Sequence, residues 1–242
     1  MADLRILPDP NQLADAACAY VLASARAAIA ARGRFTLALT GGSTPRLLYQ
    51  KLAQHPELPW ANIELCFGDE RAVPPDHKDS NAGMARAALT GQPFIPAERV
   101  HRMEGELSPS AAAAAYEQTL RQLFPAADGF PSFDLLLLGL GSDGHIASLF
   151  PHSPALAETR AWATDNWVDK LGVARITLTY PVLNEAADTL FLVAGADKAW
   201  AVAQALEGNA AVEDVPVRGI RPRSGRVTFM VDVPASAQLR QR

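Results

Sequence analysis

Cysteine is scarce in this chain of 242 residues, with only Cys18 and Cys66 present. One falls in an alanine-rich helical stretch and the other in an apolar strand-like one. Neither has a Cys-x-x-Cys partner or a flanking histidine, so both are read as buried free thiols, and neither a disulfide nor a metal site is expected. Basic charge is not in excess either. A formal net charge of -4 gives no global attraction to nucleic acid or to an anionic membrane, so an anionic ligand has to be held by a local basic cluster. The start, MADLRILPDP, lacks a basic segment followed by an apolar run. No stretch is expected to reach the roughly 18 apolar residues of a membrane helix. A cytoplasmic chain with neither nucleic-acid nor membrane partners is expected. Internal repeats are absent as well, and residues 1–242 are expected to form a single domain.

The pattern present is helix alternating with short apolar strand from end to end, the signature of an α/β class with a largely parallel sheet. A first helix is expected over Asn11 to Arg32, capped by Asp9, opened by Pro10 and ended by Gly33. Strands are expected at Phe35 to Thr40, Ile63 to Phe67, Phe133 to Leu138, Thr189 to Ala194 and Val227 to Val231. Several are apolar without alternation, as strands buried on both faces should be. Further helices are expected at Pro45 to Gln54, Asn81 to Leu89, Pro109 to Leu123 with Ser108 as cap, and Lys198 to Leu206. Residues Gly208 to Arg226, rich in Gly, Pro and charge, read as a long surface connection.

In parallel sheets ligands bind beyond the carboxyl ends of the strands, which directs attention to the residues just after each strand. The first strand runs into Thr40-Gly41-Gly42-Ser43-Thr44-Pro45. Two glycines let backbone amides approach a ligand, Ser43 and Thr44 add hydroxyls, and a helix start adds partial positive charge. That combination suits a phosphate, although an ordinary strand-to-helix turn with a hydroxyl cap would use the same residues. It is neither a Walker loop nor a Gly-x-Ser-x-Gly elbow. The second strand ends in Gly68-Asp69-Glu70-Arg71, followed by a loop with His77, Asp79 and Asn81. A carboxylate here could move protons or orient a hydroxyl, and an arginine could stabilise an oxyanion; a solvated ion pair is the plain alternative.

The most informative segment follows Phe133 to Leu138: Gly139-Leu140-Gly141-Ser142-Asp143-Gly144-His145. Its glycines formally satisfy Gly-x-Gly-x-x-Gly, but it comes past the middle of the chain and carries Asp143 and His145 where a pyrophosphate would have to approach. An Asp and a His two residues apart on a glycine-flexed turn make better sense as a proton-handling pair. Arg175 and Lys198 supply what a dianionic phosphate needs if they converge on the glycine loop, and singly either could be a surface charge.

Taken together, LALTGGSTP, FGDERAVP, HKDSNAG, LLLLGLGSDGHIASLFP, RITLTYPVLNEA and AGADKA resemble the 6-phosphogluconolactonases, in the same order and over nearly the whole chain. The resemblance implies a modified Rossmann-like three-layer sandwich and hydrolysis of a phosphorylated sugar lactone in the oxidative pentose phosphate pathway, without nicotinamide. It implies Gly41, Gly42, Ser43, Thr44, Arg175 and Lys198 as the phosphate site and His145 as the principal catalytic residue. Asp69, Arg71 and Asp143 would complete the lactone end. Ser142 departs from the proline or acidic residue usual there, and the arginines from Arg218 to Arg226 receive no role. Opening a δ-lactone, already a reactive ester, requires no metal, cofactor or covalent intermediate. The related amino sugar phosphate deaminases and isomerases are the alternative; they resemble one another in a glutamate five residues after the histidine, where this chain has Phe150, and commonly have an aromatic residue where it has Arg71. Oligomeric state, monomer or small homo-oligomer, stays open.

Overall fold

The protein is described by a computed structural model over residues 2–127 and 129–240. A six-stranded parallel sheet forms its centre, in the order β1-β9-β8-β5-β2-β3. These strands are β1 (Asp3–Leu7), β2 (Phe35–Leu39), β3 (Ile63–Phe67), β5 (Leu135–Leu138), β8 (Asp188–Val193) and β9 (Arg226–Asp232). A second, antiparallel sheet of order β4-β7-β6 is built from β4 (Asp69–Arg71), β6 (Ala163–Val168) and β7 (Val173–Leu178). Among the described residues six α-helices accompany them: α1 (Pro10–Arg32), α2 (Ser43–Leu52), α3 (Asn81–Ala85), α4 (Pro109–Leu123), α5 (Tyr180–Glu185) and α6 (Ala199–Glu207).

The run of four leucines in β5 shows why the central strands lack alternation. Successive side chains point to opposite faces of a sheet. Leu136 and Leu138 enter one core, with Tyr116 of α4 and Val202 of α6, whereas Leu135 and Leu137 enter another, with Leu13 of α1 and Leu48 of α2. Both faces are covered, so both faces must be apolar. The result is the three-layer arrangement expected.

Helix α1 begins and ends as its sequence requires. Asp9 accepts hydrogen bonds from the amides of Asn11 and Gln12 at 2.8 and 2.9 Å. Gly33 closes the helix at φ 71°, a left-handed conformation open to glycine. One expectation about this region is corrected. By length and composition α1 is apolar enough to cross a membrane, with a mean hydropathy of 1.4 over its best window. In the fold that apolar character serves the core, since Leu13, Ala17 and Ala25 are all 0% exposed.

Other expectations shift at their edges. Helix α2 starts at Ser43 rather than Pro45. Asn81 to Leu89 splits into α3 and a wider π turn, where the Gly91 amide reaches back to the Arg86 carbonyl at 3.0 Å. Ser108 precedes α4 but its side chain makes no capping bond. Lys198 ends a 3₁₀ turn, Ala196–Lys198, just ahead of α6. The stretch from Gly208 to Arg226 is more than a surface connection. Val215, Pro216 and Val217 are buried, the Val217 amide donates to the Gly144 carbonyl at 2.9 Å, and the Tyr180 hydroxyl donates to the Pro216 carbonyl at 2.6 Å.

Two topological features place the site. The chain leaves β2 toward β3 on one side and leaves β5 toward β8 on the other, so the crevice between β2 and β5 is a switch point. The loops after β2 and β5 open side by side there. Gly68, the single residue between β3 and β4, joins the two sheets: its amide donates to the Leu39 carbonyl at 2.8 Å and its carbonyl accepts from Leu178 at 2.9 Å.

Candidate functional site

The crevice holds a cavity of about 280 Å³ whose wall includes Gly41 to Thr44, Asp69, Arg71, Gly141, His145 and Lys198. Four chain segments separated by long stretches of sequence therefore meet in one place. Gly42, at φ 112°, turns the chain from β2 into α2 and leaves the helix without a side-chain cap. Ser43 and Thr44 do not cap it, contrary to the plain alternative for this turn. Ser43 and Thr44, at the start of α2, line the cavity, where a helix end favours an anion. A side chain at Gly41 would collide with the Asn81 carboxamide.

His145 lies on the tight turn after β5, held by Gly141 N–H donating to the His145 carbonyl at 2.8 Å and Gly144 N–H donating to the Gly141 carbonyl at 3.0 Å. A Cβ at Gly141 would overlap the His145 ring. Asp143 Oδ1 lies 2.5 Å from His145 Nδ1 and also accepts the His145 amide at 3.2 Å. The other Asp143 oxygen is paired with Lys170, from the turn between β6 and β7. Phe150 stacks on the His145 ring at 4.0 Å, and Lys170 Nζ lies 5.0 Å from the Phe150 ring centre. Burial lowers the His145 pKa to about 4; the Asp69 carboxylate opposes this, and Lys198, Arg175 and Arg71 add to it. The ring is therefore neutral near pH 7. With Asp143 accepting at Nδ1, the proton sits on that nitrogen and Nε2 keeps its lone pair.

Asp69 is held differently. It is 6% exposed, its Oδ2 accepts from Ser148 Oγ at 2.7 Å, and its Oδ1 accepts from Asn81 Nδ2 at 3.2 Å. Its neighbour Glu70 points into the protein and accepts the amides of Arg71, Asn81 and Ala82 at 2.7 to 2.8 Å, together with Ser80 Oγ at 3.1 Å. The loop from His77 to Asn81 is thereby tied to β4. Arg71 Nη1 donates to the Asp79 carbonyl at 2.6 Å, and its buried Nε has no partner among the described residues.

Not every residue singled out in the sequence reaches the cavity wall. Lys198 does; Arg175 stands across the β4–β7 ladder from Arg71 and is outside the wall. Asp143 sits behind His145 and faces a neighbouring hollow of about 380 Å³ lined by Phe150 and Lys170. His77 is paired with Asp79 at 3.7 Å and lines a separate groove with Pro75 and Asp76. Sequence reasoning missed Ser148 and Lys170, and gave Asn81 no task. Ser148 follows His145 closely and could have been found as a polar residue in an otherwise apolar ILE-like run, Ile146-Ala147-Ser148-Leu149-Phe150. Lys170 carries no local signal, because only the hairpin brings it to Asp143.

Comparison with known proteins identifies the family. The family model described as glucosamine-6-phosphate isomerases/6-phosphogluconolactonase matches residues 8–229. A 6-phosphogluconolactonase of Nostoc sp. is 43% identical over 238 residues, covering 98% of each chain. One from Mycobacterium tuberculosis is 39% identical over 247 residues, again covering 98% of each. The solved 6-phosphogluconolactonase of Trypanosoma cruzi superposes with a TM-score of 0.89 at 30% identity, covering 99% of this chain and 97% of that one. With a family model matched over most of its length and relatives above 30% identity covering nearly all of it, the chain belongs to the glucosamine-6-phosphate isomerase/6-phosphogluconolactonase family.

Proposed function

We propose that this chain hydrolyses 6-phosphoglucono-δ-lactone to 6-phosphogluconate in the cytoplasm, with His145 as general base. One observation carries the reading: a neutral imidazole, oriented by Asp143 at 2.5 Å, borders the same cavity as the uncapped start of α2. Such a cavity can hold a phosphate at one end and deliver water to a carbonyl at the other.

The steps follow from the groups present. The phosphate sits on the amides and hydroxyls of Gly42, Ser43 and Thr44 with Lys198 beside it, and Arg175 adds longer-range positive potential. This remote anchor fixes the ring so that C1 faces His145. His145 Nε2 takes a proton from water as its oxygen attacks C1. Arg71 faces the carbonyl oxygen as it becomes an oxyanion. The tetrahedral intermediate collapses, the bond from C1 to the ring oxygen breaks, and the imidazolium returns its proton to that oxygen. Asp143 stabilises the imidazolium and, with Lys170 behind it, keeps the ring oriented. Asp69, held by Ser148 and Asn81, accepts a hydrogen bond from a sugar hydroxyl. A positioned general base contributes about 10²–10⁴-fold.

The phosphate dianion also acts on the base itself. It offsets the positive charge of Lys198 and Arg175, both of which depress the histidine, so substrate binding makes His145 more basic when it is needed. Phe150 supports hydrolysis over isomerisation. Its ring packs on His145 at 4.0 Å, in the position where a ring-opening carboxylate relay is expected in the deaminases. The test is turnover of freshly made lactone, corrected for spontaneous hydrolysis, in wild type and in folded His145→Ala. Turnover near the wild-type rate in the variant, or ammonia release from glucosamine 6-phosphate by the wild type, would overturn the reading.

A further inference from the structure

A second cavity, of about 910 Å³, lies beyond the amino ends of β1 and β9 and shares no lining residue with the cavity at His145. Arg5, Arg218, Arg221 and Arg226 all line it. Three of these belong to the arginine-rich stretch that the lactone chemistry does not use, and the fourth comes from the opposite end of the chain. The carboxylates available to them are few. Asp3 lines the cavity and pairs with Arg5 at 3.0 Å, and the buried Asp188 pairs with Arg226 at 2.8 Å. Among the described residues Arg218 and Arg221 have no carboxylate partner, in a chain whose net charge is -4. Assembling like charges is unfavourable unless an anion offsets them.

The guanidinium groups keep free donors. Arg5 and Arg221 each use only Nε in a hydrogen bond, the first to Asp3 and the second to the Arg218 carbonyl. Their paired terminal N–H groups, among the described residues, make no hydrogen bond, and such forks match phosphate oxygens. Arg218 is fixed in place by donating to the carbonyls of Gln204 and Gly208. The rest of the wall mixes the hydroxyls of Ser24 and Thr228 with apolar and aromatic side chains, among them Tyr20 of α1 and Leu206 of α6. The Tyr20 ring is already covered on one side by Arg5 at 5.5 Å. Pockets for small organic ligands span about 300–1,000 Å³ and combine an apolar wall with a few convergent polar groups.

From this we infer a second ligand site, distinct from the lactone cavity, for a phosphorylated molecule that also carries a ring, of the size and chemistry of a nucleoside diphosphate. Isothermal titration of the full chain with ADP tests it, with inorganic pyrophosphate as the ringless comparison. Saturable binding of one ADP is expected, with pyrophosphate about tenfold weaker. The Arg5→Ala/Arg221→Ala double variant, which removes two exposed side chains and no buried pairing, should weaken ADP by about tenfold or more while melting as wild type. Lys198→Ala should bind ADP as wild type does. Absence of saturation at millimolar ADP, or unchanged affinity in the double variant, would overturn the site. Loss of binding in Lys198→Ala would place ADP in the lactone cavity and overturn it too, and equal affinity for pyrophosphate would remove the ring from the proposal.

Discussion

Arg71 and Arg175 face each other directly across the antiparallel β4–β7 ladder, a cross-strand pair of like charge beside the lactone cavity. Such a pair is unfavourable by itself, and the Arg71 guanidinium depresses the pKa of Arg175 after burial does. An anionic substrate bound beside the pair would relieve this repulsion. Of the two, Arg71 lines the cavity and Arg175 does not.

That asymmetry separates their expected phenotypes. Arg71→Ala should lower kcat by about 10²-fold or more, as the loss of an oxyanion donor does. Arg175→Ala should leave kcat nearer wild type and raise KM. Lys198→Ala should raise KM for the phosphorylated lactone far more than for plain gluconolactone. Steady-state kinetics on both lactones checks all three, and equal effects of Lys198→Ala on both would remove Lys198 from the phosphate site.

The acid limb of the rate should report His145. Its pKa in the free protein is lowered to about 4, so kcat/KM should hold level from neutrality down toward that value and then fall as the base is protonated. The limb of kcat, set by the substrate complex, should lie at higher pH because the bound phosphate offsets Lys198 and Arg175. Lys170→Met should move the kcat/KM limb, whereas a merely structural lysine would not. Stopped-flow rates across the acid range are the measurement.

Stability should show the same group with a defined sign. The unfolded histidine titrates near 6.5 and the folded one near 4, so between those values the unfolded chain binds more protons. Stability must then rise with pH across this window and be lost as pH falls through it. Urea unfolding of wild type and His145→Phe at several pH values should show a shallower rise in the variant.

Glu70→Ala should be the most damaging change that touches no substrate. It strips the acceptor from three buried or half-buried amides and from Ser80, with an expected cost of about 2–4 kcal/mol. Chemical denaturation gives the value, and a variant as stable as wild type would show that the loop 77–81 holds itself.

Much of the plan was legible without coordinates because it is local physics. Leucine runs buried on both faces announce parallel strands, and Asp9, Pro10 and Gly33 delimit α1 through caps that act within a few residues. The glycine loop and the Asp-Gly-His turn were readable for the same reason: their geometry is made by adjacent residues. Less was readable where a distant element decides. Asp69 to Arg71 looked like a charged loop because β4 becomes a strand only by pairing with β7, some hundred residues on. The apolar character of α1 was underestimated in the sequence, where no stretch was expected to suit a membrane, and the packing of Leu13 and Ala17 on the core shows what that character serves.

The sequence by itself determined the α/β class, five of the six parallel strands, with β1 the one it missed, and the chemical groups near His145, since propensity, capping and glycine turns are short-range. Only the tertiary structure decided which of those groups share a cavity. It brought Ser148 to Asp69 and Lys170 to Asp143, left Arg175 outside the wall and gathered four arginines at the far end of the sheet. Those outcomes depend on strand order and on long-range packing, which no window of neighbouring residues contains.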